Sequence, residues 1–276
     1  MPWIGAPGKL QKIDCSSKEK TVLSRETSYA TTIGGRTFAQ VGRASKRAWE
    51  LSVNVTRNPS TASTLDAFVA GEYGLGPWAF IPDWAVNTNL LSANASTLSL
   101  TGTPQNGTAY TGGEMTLPDG GVAGKSMLID PTISAFIPRS NSEPGFVPII
   151  PGLPVTASIY VEGYSRLILR MYTSDKTITR SLYSAGRGQN GAVSRLTVSA
   201  TVAANEAYAL LIVDSDYQQN SVRAARPAIT HTSAALPWAI GAGVPACHIS
   251  QNETDVILAT RQQQYSSTAY TVTEVG

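Results

Sequence analysis

The run Gly71-Glu72-Tyr73-Gly74-Leu75-Gly76-Pro77-Trp78-Ala79-Phe80-Ile81-Pro82-Asp83-Trp84, closing on Asn87-Thr88-Asn89-Leu90-Leu91, constrains the fold more than any other stretch of this chain. It follows the one strong helix signal and holds two of the five tryptophans within seven residues. Pro77 cannot continue a helix, because it lacks an N–H and its ring clashes with the preceding turn. Beyond it Trp78–Ile81 reads as a short apolar strand, which Pro82-Asp83 ends. The composition changes character there, so the run marks a structural joint between two β-rich units and not a catalytic motif.

Upstream, Trp49 to Thr56 alternates apolar with polar residues, the period of a strand with one buried face. Thr21 to Ala30 and Arg36 to Val41 are weaker strand candidates separated by the turn dipeptide Gly34-Gly35. Asn58-Pro59-Ser60 then stops the sheet. Leu65, Phe68 and Val69 fall at i, i+3 and i+4, one stripe of a short helix with Ser60 or Thr61 as N-cap and Gly71 or Gly74 as its stop.

From Asn87 to Leu236 there is no tryptophan, and short strands alternate with turn residues. Leu167, Leu169 and Met171 alternate with Ile168, Arg170 and Tyr172; Leu196, Val198, Ala200 and Val202 repeat the pattern. Ala207 to Val213 is apolar on both faces and predicts a central strand. This texture predicts a sandwich or jelly roll. The last 40 or so residues carry three strand candidates, Ala246–Ile249, Asp255–Thr260 and Thr268–Val275. They are too few for a core of their own and are expected to complete the first sheet. The chain is thus expected to be all-β. Residues 1–86 and 237–276 form a split β domain with one short helix, and residues 87–236 form an inserted jelly roll. Trp78, Trp84 and Trp238 are assigned to the junction, with Trp238 packing near Trp78 or Trp84.

Only 14% of residues are charged, against roughly 25% in ordinary soluble domains, which favours a surface covered by neighbouring copies. The net charge of +2, without a basic run, offers no nucleic-acid footprint. No window is long enough for a membrane span. The start, Met1-Pro2-Trp3-Ile4, carries no basic leader or apolar stretch, which points to synthesis in a cytoplasm. Cys15 and Cys247 match neither zinc nor redox spacing and read as free thiols.

The chemistry-bearing residues are sparse. His231 and His248 have no carboxylate or second histidine at ligand spacing. Asp214-Ser215-Asp216 resembles the start of a calcium loop without its glycine and closing glutamate, and Asp119 and Asp130 are further candidate ligands of a structural calcium; no cofactor is expected. Glu114, Asp119, Asp130, Glu143 and Glu162 form no acid-rich motif of the kind glycoside cleavage needs. Sugar binding requires aromatic platforms beside polar groups. The middle region offers Tyr183 and Tyr217, with Arg187 and Asn190 in the loop Gly186-Arg187-Gly188-Gln189-Asn190-Gly191, and these four are the candidate glycan contacts. The alternative is an ordinary mobile hairpin.

The order of these segments resembles the distal tail (minor tail) proteins of long-tailed actinobacterial phages. The residues that carry the likeness are Gly74-Leu75-Gly76-Pro77-Trp78 after the helix, Asn89-Leu90-Leu91, and the closing Leu236-Pro237-Trp238, Gly241, Gly243 and Thr273-Glu274-Val275-Gly276. The middle portion resembles galactose-binding-like jelly rolls of carbohydrate-binding modules, through Pro151-Gly152 before Thr156 to Val161 and through Arg226-Pro227. The resemblance implies a non-enzymatic ring, a hexamer, at the virion tail tip. Its partners would be its own copies, the tail tube, the tail tip or hub and the tape-measure protein. DNA would pass through the ring without specific binding, and the jelly roll would face host-surface glycan. The other reading is a carbohydrate-binding adhesion module with no ring.

Overall fold

The computed structural model describes residues 1–18, 27–31, 34–41, 47–55, 57–99, 109–130, 134–137, 145–215, 221–259 and 264–275. The fold is all-β: the described residues form antiparallel sheets with two α-helices and one 3-10 turn. Two compact units are present. The first comprises Met1–Ala6, Gln11–Phe80 and Pro245–Gly276; the second comprises Pro7–Leu10 and Ile81–Val244.

The first unit is built on a seven-stranded sheet. Its order is Gln11–Lys12, Trp3–Gly5, Trp78–Ile81, Ala246–Ala259, Gln264–Glu274, Ala48–Asn54 and Ser16–Lys18. The alternation in Ala48–Asn54 does what its period requires: Trp49, Leu51 and Val53 are buried and Glu50 is exposed. With Tyr270, Val272, Ile249 and Phe80 they form the core on which helix α1 (Pro59–Ala70) lies. The amino-terminal Trp3–Gly5 segment is a strand of this same sheet. Cys15 and Cys247 are free thiols, and burial pushes them up to about 11 and about 12.

Helix α1 departs from expectation at its start. Pro59 occupies its first turn, where the missing N–H costs nothing, and Asn58 precedes it. The Asn58 side chain does not cap the helix; its Nδ2 donates to the Asp14 carbonyl at 3.0 Å. The buried stripe is Thr61, Ala62, Leu65 and Phe68, whereas Val69 is 40% exposed. Gly71 closes the helix in the left-handed conformation, its N–H directed to the Ala67 and Phe68 carbonyls. Tyr270 pins the helix to the sheet: its hydroxyl donates to Asp66 at 2.6 Å. Gly76 is also required, since a Cβ there would lie 3.0 Å from the Trp78 ring.

The second unit is a β-sandwich. One sheet has the order Val193–Thr201, Pro154–Glu162, Val222–Thr230, Ser126–Ile129 and Ala109–Gly112. The other has the order Ser134–Phe136, Tyr208–Ser215, Ser165–Tyr172 and Ile178–Tyr183, with Val147–Pro148 also paired to Tyr208–Ser215. Leu167, Leu169 and Met171 are fully buried, as are Val155, Ala157, Ile159 and Val161 of the facing sheet. The apolar run near Ala207–Val213 is the internal strand its composition predicts. On the opposite face of the second sheet, Ile168, Tyr172, Leu210 and Ile212 are buried with Phe146 and Tyr208 packed against them.

Asn89 organises the ends of this unit. It is fully buried; its Nδ2 donates to the Pro227 and Ala239 carbonyls, both at 3.1 Å, and its Oδ1 accepts from the Leu91 and Ile229 N–H groups. The segments on either side are knitted by Ala242 N–H to Asn89 O and Gly243 N–H to Leu91 O, each 2.9 Å. Approach is so close at Gly241 that a Cβ there would fall 1.9 Å from the Leu91 carbonyl oxygen.

Candidate functional site

The site begins with a β-bulge. Along Pro154–Glu162 the partners Ala228 and Ala225 oppose Ser158 and Tyr160, so the Val222–Thr230 strand holds one residue more than its neighbour over that step. Arg226 adopts a φ of +51° there, and Pro227, which has no N–H to give a ladder, follows it. A bulge of this kind re-aims a side chain, and here it turns Arg226 out of the sheet's alternation.

The Arg226 guanidinium carbon lies 5.0 Å from the centre of the Trp238 ring. Its Nη2 donates to the Val122 carbonyl at 2.9 Å. Trp238 is held in turn, Nε1 donating to the Pro227 carbonyl at 3.2 Å. The pair borders an open cavity of about 390 Å³, whose other walls are Ser96, Thr97, Ser99, Val122 to Gly124, and Lys125. Ser96 is structural: its hydroxyl accepts from Gly241 N–H at 2.8 Å and donates to the Ala93 carbonyl. The Thr97 and Ser99 hydroxyls lie 2.8 Å apart toward the rim. Lys125 is exposed. An indole, two cations and hydroxyls lining one concave wall set apolar surface beside polar and charged groups.

The residues expected to bind glycan lie elsewhere in this unit. Tyr183 is 54% exposed at the end of the Ile178–Tyr183 strand, paired with Ile168. Arg187 and Asn190 are exposed on the glycine-rich loop. None of these three lines the Trp238 cavity, and Tyr217 lies outside the described residues. The loop is anchored at its base: Gly188 N–H donates to the Ser165 carbonyl at 2.8 Å and Gly163 N–H to the Gln189 carbonyl at 2.9 Å.

Of the residues assigned to the junction, Trp78 is buried in the first unit against Phe68. Trp84 and Trp238 belong to the second unit. Trp84 is 43% exposed, and Trp238 has Arg226 as its stacking partner. Sequence reasoning passed over Trp238 and Arg226 as a site. The available signal was Arg226-Pro227, an arginine before a proline inside a strand pattern, which marks a bulge.

His231 is a structural residue. Nδ1 donates to the Pro154 carbonyl at 3.0 Å, Nε2 accepts from Ile150 N–H at 3.2 Å, and burial pushes its pKa down to about 4. The ring is thereby fixed as one neutral tautomer. Among the described residues no three His, Cys, Asp or Glu side chains gather to hold a metal ion. Asp214 accepts a hydrogen bond from Ser134, Asp119 accepts one from Gly121 N–H at 3.0 Å, and Asp216 lies outside the described residues. Among the described residues no helix is long and apolar enough to cross a membrane.

No protein-family model matches this sequence, and no curated protein sequence matches it. Solved structures do share features of its shape. The enzymatically active domain of tailspike protein 4 of bacteriophage CBA120 matches at TM-score 0.41 and 9% identity, over 52% of this chain and 21% of that one. The chain therefore spans about a fifth of that domain. The CBM22-1 xylan-binding domain of Paenibacillus barcinonensis Xyn10C matches at TM-score 0.34 and 12% identity, covering 48% of this chain and 86% of that one. A family 16 carbohydrate-binding module matches at 0.31 and 12%, covering 44% and 84%. At these TM-scores the matches carry no argument about a ligand or a role.

Proposed function

We propose that this chain is a non-catalytic structural protein of a phage tail tip whose second unit contacts saccharide on the host surface. The observation that carries the saccharide role is the cavity walled by Trp238, held against Arg226 and beside Thr97, Ser99 and Lys125. Saccharides present apolar C–H faces and hydroxyl edges together, and an indole beside hydroxyls and cations matches both.

The ring role rests on the resemblance carried by Gly74 to Trp78 and Asn89 to Leu91, and on one feature of the first unit. The strand Ala246–Ala259 is bordered by Trp78–Ile81 only at Ala246 and Cys247. Among the described residues no further strand pairs with it on that side, and a strand edge open there would suit pairing with a second copy. Light scattering of the purified full-length chain tests the ring: a hexamer, or a ladder of closed rings by electron microscopy, is expected, and a monomer at all concentrations overturns it. A glycan array read with the wild type and with Trp238→Ala tests the saccharide role. Signals lost in the variant support it; equal signals from both proteins assign the contact elsewhere.

A further inference from the structure

Resting on the saccharide reading, we infer that the Trp238 cavity takes an anionic saccharide, one bearing a carboxylate or a phosphate, with Lys125 and Arg226 as its anion contacts. The charge distribution carries this. The cavity wall contains two cations and, among the described residues, no carboxylate. Lys125 has no hydrogen bond or ion pair through its ammonium among the described residues, although it borders the cavity. Arg226 is oriented by the Trp238 face and by a single carbonyl, that of Val122. Neither bond neutralises its charge. Asp119 accepts from the Gly121 N–H, and although its Oδ1 and Arg226 Nη1 both lie within 4 Å of where a Gly121 Cβ would sit, the two form no ion pair within 4.0 Å.

The geometry explains how such a ligand gains affinity. The bulge holds Arg226 in place before any ligand arrives, so little ordering remains to be done on binding. A guanidinium and an ammonium bordering one concavity suit a carboxylate or phosphate, whose hydrogen bonds to cations are about twice as strong as those between neutral groups. The indole and the Thr97 and Ser99 hydroxyls then distinguish a sugar from a bare anion.

The test is calorimetric titration of the full-length chain with four probes: an oligogalacturonide, the neutral galactan oligomer of equal length, a glycosyl phosphate, and inorganic phosphate. The inference expects an acidic sugar to bind about tenfold or more tighter than the neutral oligomer. It expects a comparable loss in Lys125→Ala, retention in Lys125→Arg, and weakening as salt rises. Equal affinity for acidic and neutral oligomers, unchanged in Lys125→Ala, overturns this inference and leaves the saccharide reading standing. Inorganic phosphate binding as tightly as the glycosyl phosphate also overturns it, because the site would then recognise an anion alone. If none of the sugars binds, the inference and the saccharide reading fall together. Lys125 is exposed, so its variants are expected to fold, and a thermal melt of each checks this.

Discussion

Asn89 and Trp238 share one acceptor: the Pro227 carbonyl oxygen takes the Asn89 Nδ2–H at 3.1 Å and the Trp238 Nε1–H at 3.2 Å. The clamp that closes the second unit and the aromatic wall of its cavity therefore meet at a single peptide group. That group exists in this orientation because the bulge at Arg226-Pro227 turns it there.

Asn89 uses both donors and both acceptor positions of its amide on backbone groups. Asn89→Leu strands the Ala239 carbonyl and the Leu91 and Ile229 N–H groups, and leaves the Pro227 carbonyl only its bond from Trp238. It is expected to destabilise the second unit by about 3 kcal/mol or more. Asn89→Asp sets a carboxylate oxygen against two carbonyls and should cost at least as much. Urea denaturation followed by fluorescence reads both, and a loss below about 1 kcal/mol would mean the clamp is solvated.

Gly241→Ala places a methyl group 1.9 Å from the Leu91 carbonyl oxygen, so the backbone must move. A loss of at least ~2 kcal/mol is expected. Gly113→Ala, which meets nothing within 4 Å, serves as the comparison and should stay within about 0.5 kcal/mol of the wild type.

His231 makes stability depend on acidity. Its folded pKa, about 4, lies below the ordinary histidine value of 6.5, so the unfolded chain takes up a proton first as pH falls. The stabilisation is fully present above pH 6.5 and is lost progressively down to about pH 4. The window corresponds to roughly 3 kcal/mol. In His231→Gln the midpoint of urea unfolding should fall less steeply between those two pH values; parallel profiles would contradict the assignment.

Arg180 and Glu206 form a nearly closed pair, Nε to Oε1 at 2.7 Å and Nη2 to Oε2 at 2.9 Å, with Glu206 only 1% exposed. Burial alone would raise the Glu206 pKa, but hydrogen bonds from Arg180, the Ala203 N–H and Thr179 outweigh it and hold the carboxyl below its ordinary value. Arg180→Met leaves that carboxylate buried without its cation and should cost ~3 kcal/mol or more at neutral pH. Adding Glu206→Gln should recover part of the loss, as a double-mutant cycle would show.

The strands that face a core were legible because one period governs them. Leu167, Leu169 and Met171 alternate in sequence and are fully buried in space. Helix α1 was legible in its extent, through Pro59 and Gly71, but not in its cap, because a tertiary bond to Asp14 takes the Asn58 side chain away from the helix. The cavity was not legible. Its walls come from Ser96, Lys125, Arg226 and Trp238, and only sheet pairing and the bulge bring them together. In sequence Trp238 follows a proline as Trp78 does, so the two look alike in one dimension. Their different surroundings, a core for Trp78 and a guanidinium for Trp238, are set by long-range contacts.

The central claim is that the Trp238 wall recognises saccharide, and quantitative binding of the full-length chain to purified host-surface polysaccharide tests it most directly. The account predicts saturable binding by the wild type and a loss of about tenfold or more in Trp238→Ala, the scale expected when an anchoring aromatic is removed. A folded Trp238→Ala protein that binds as tightly as the wild type would contradict it.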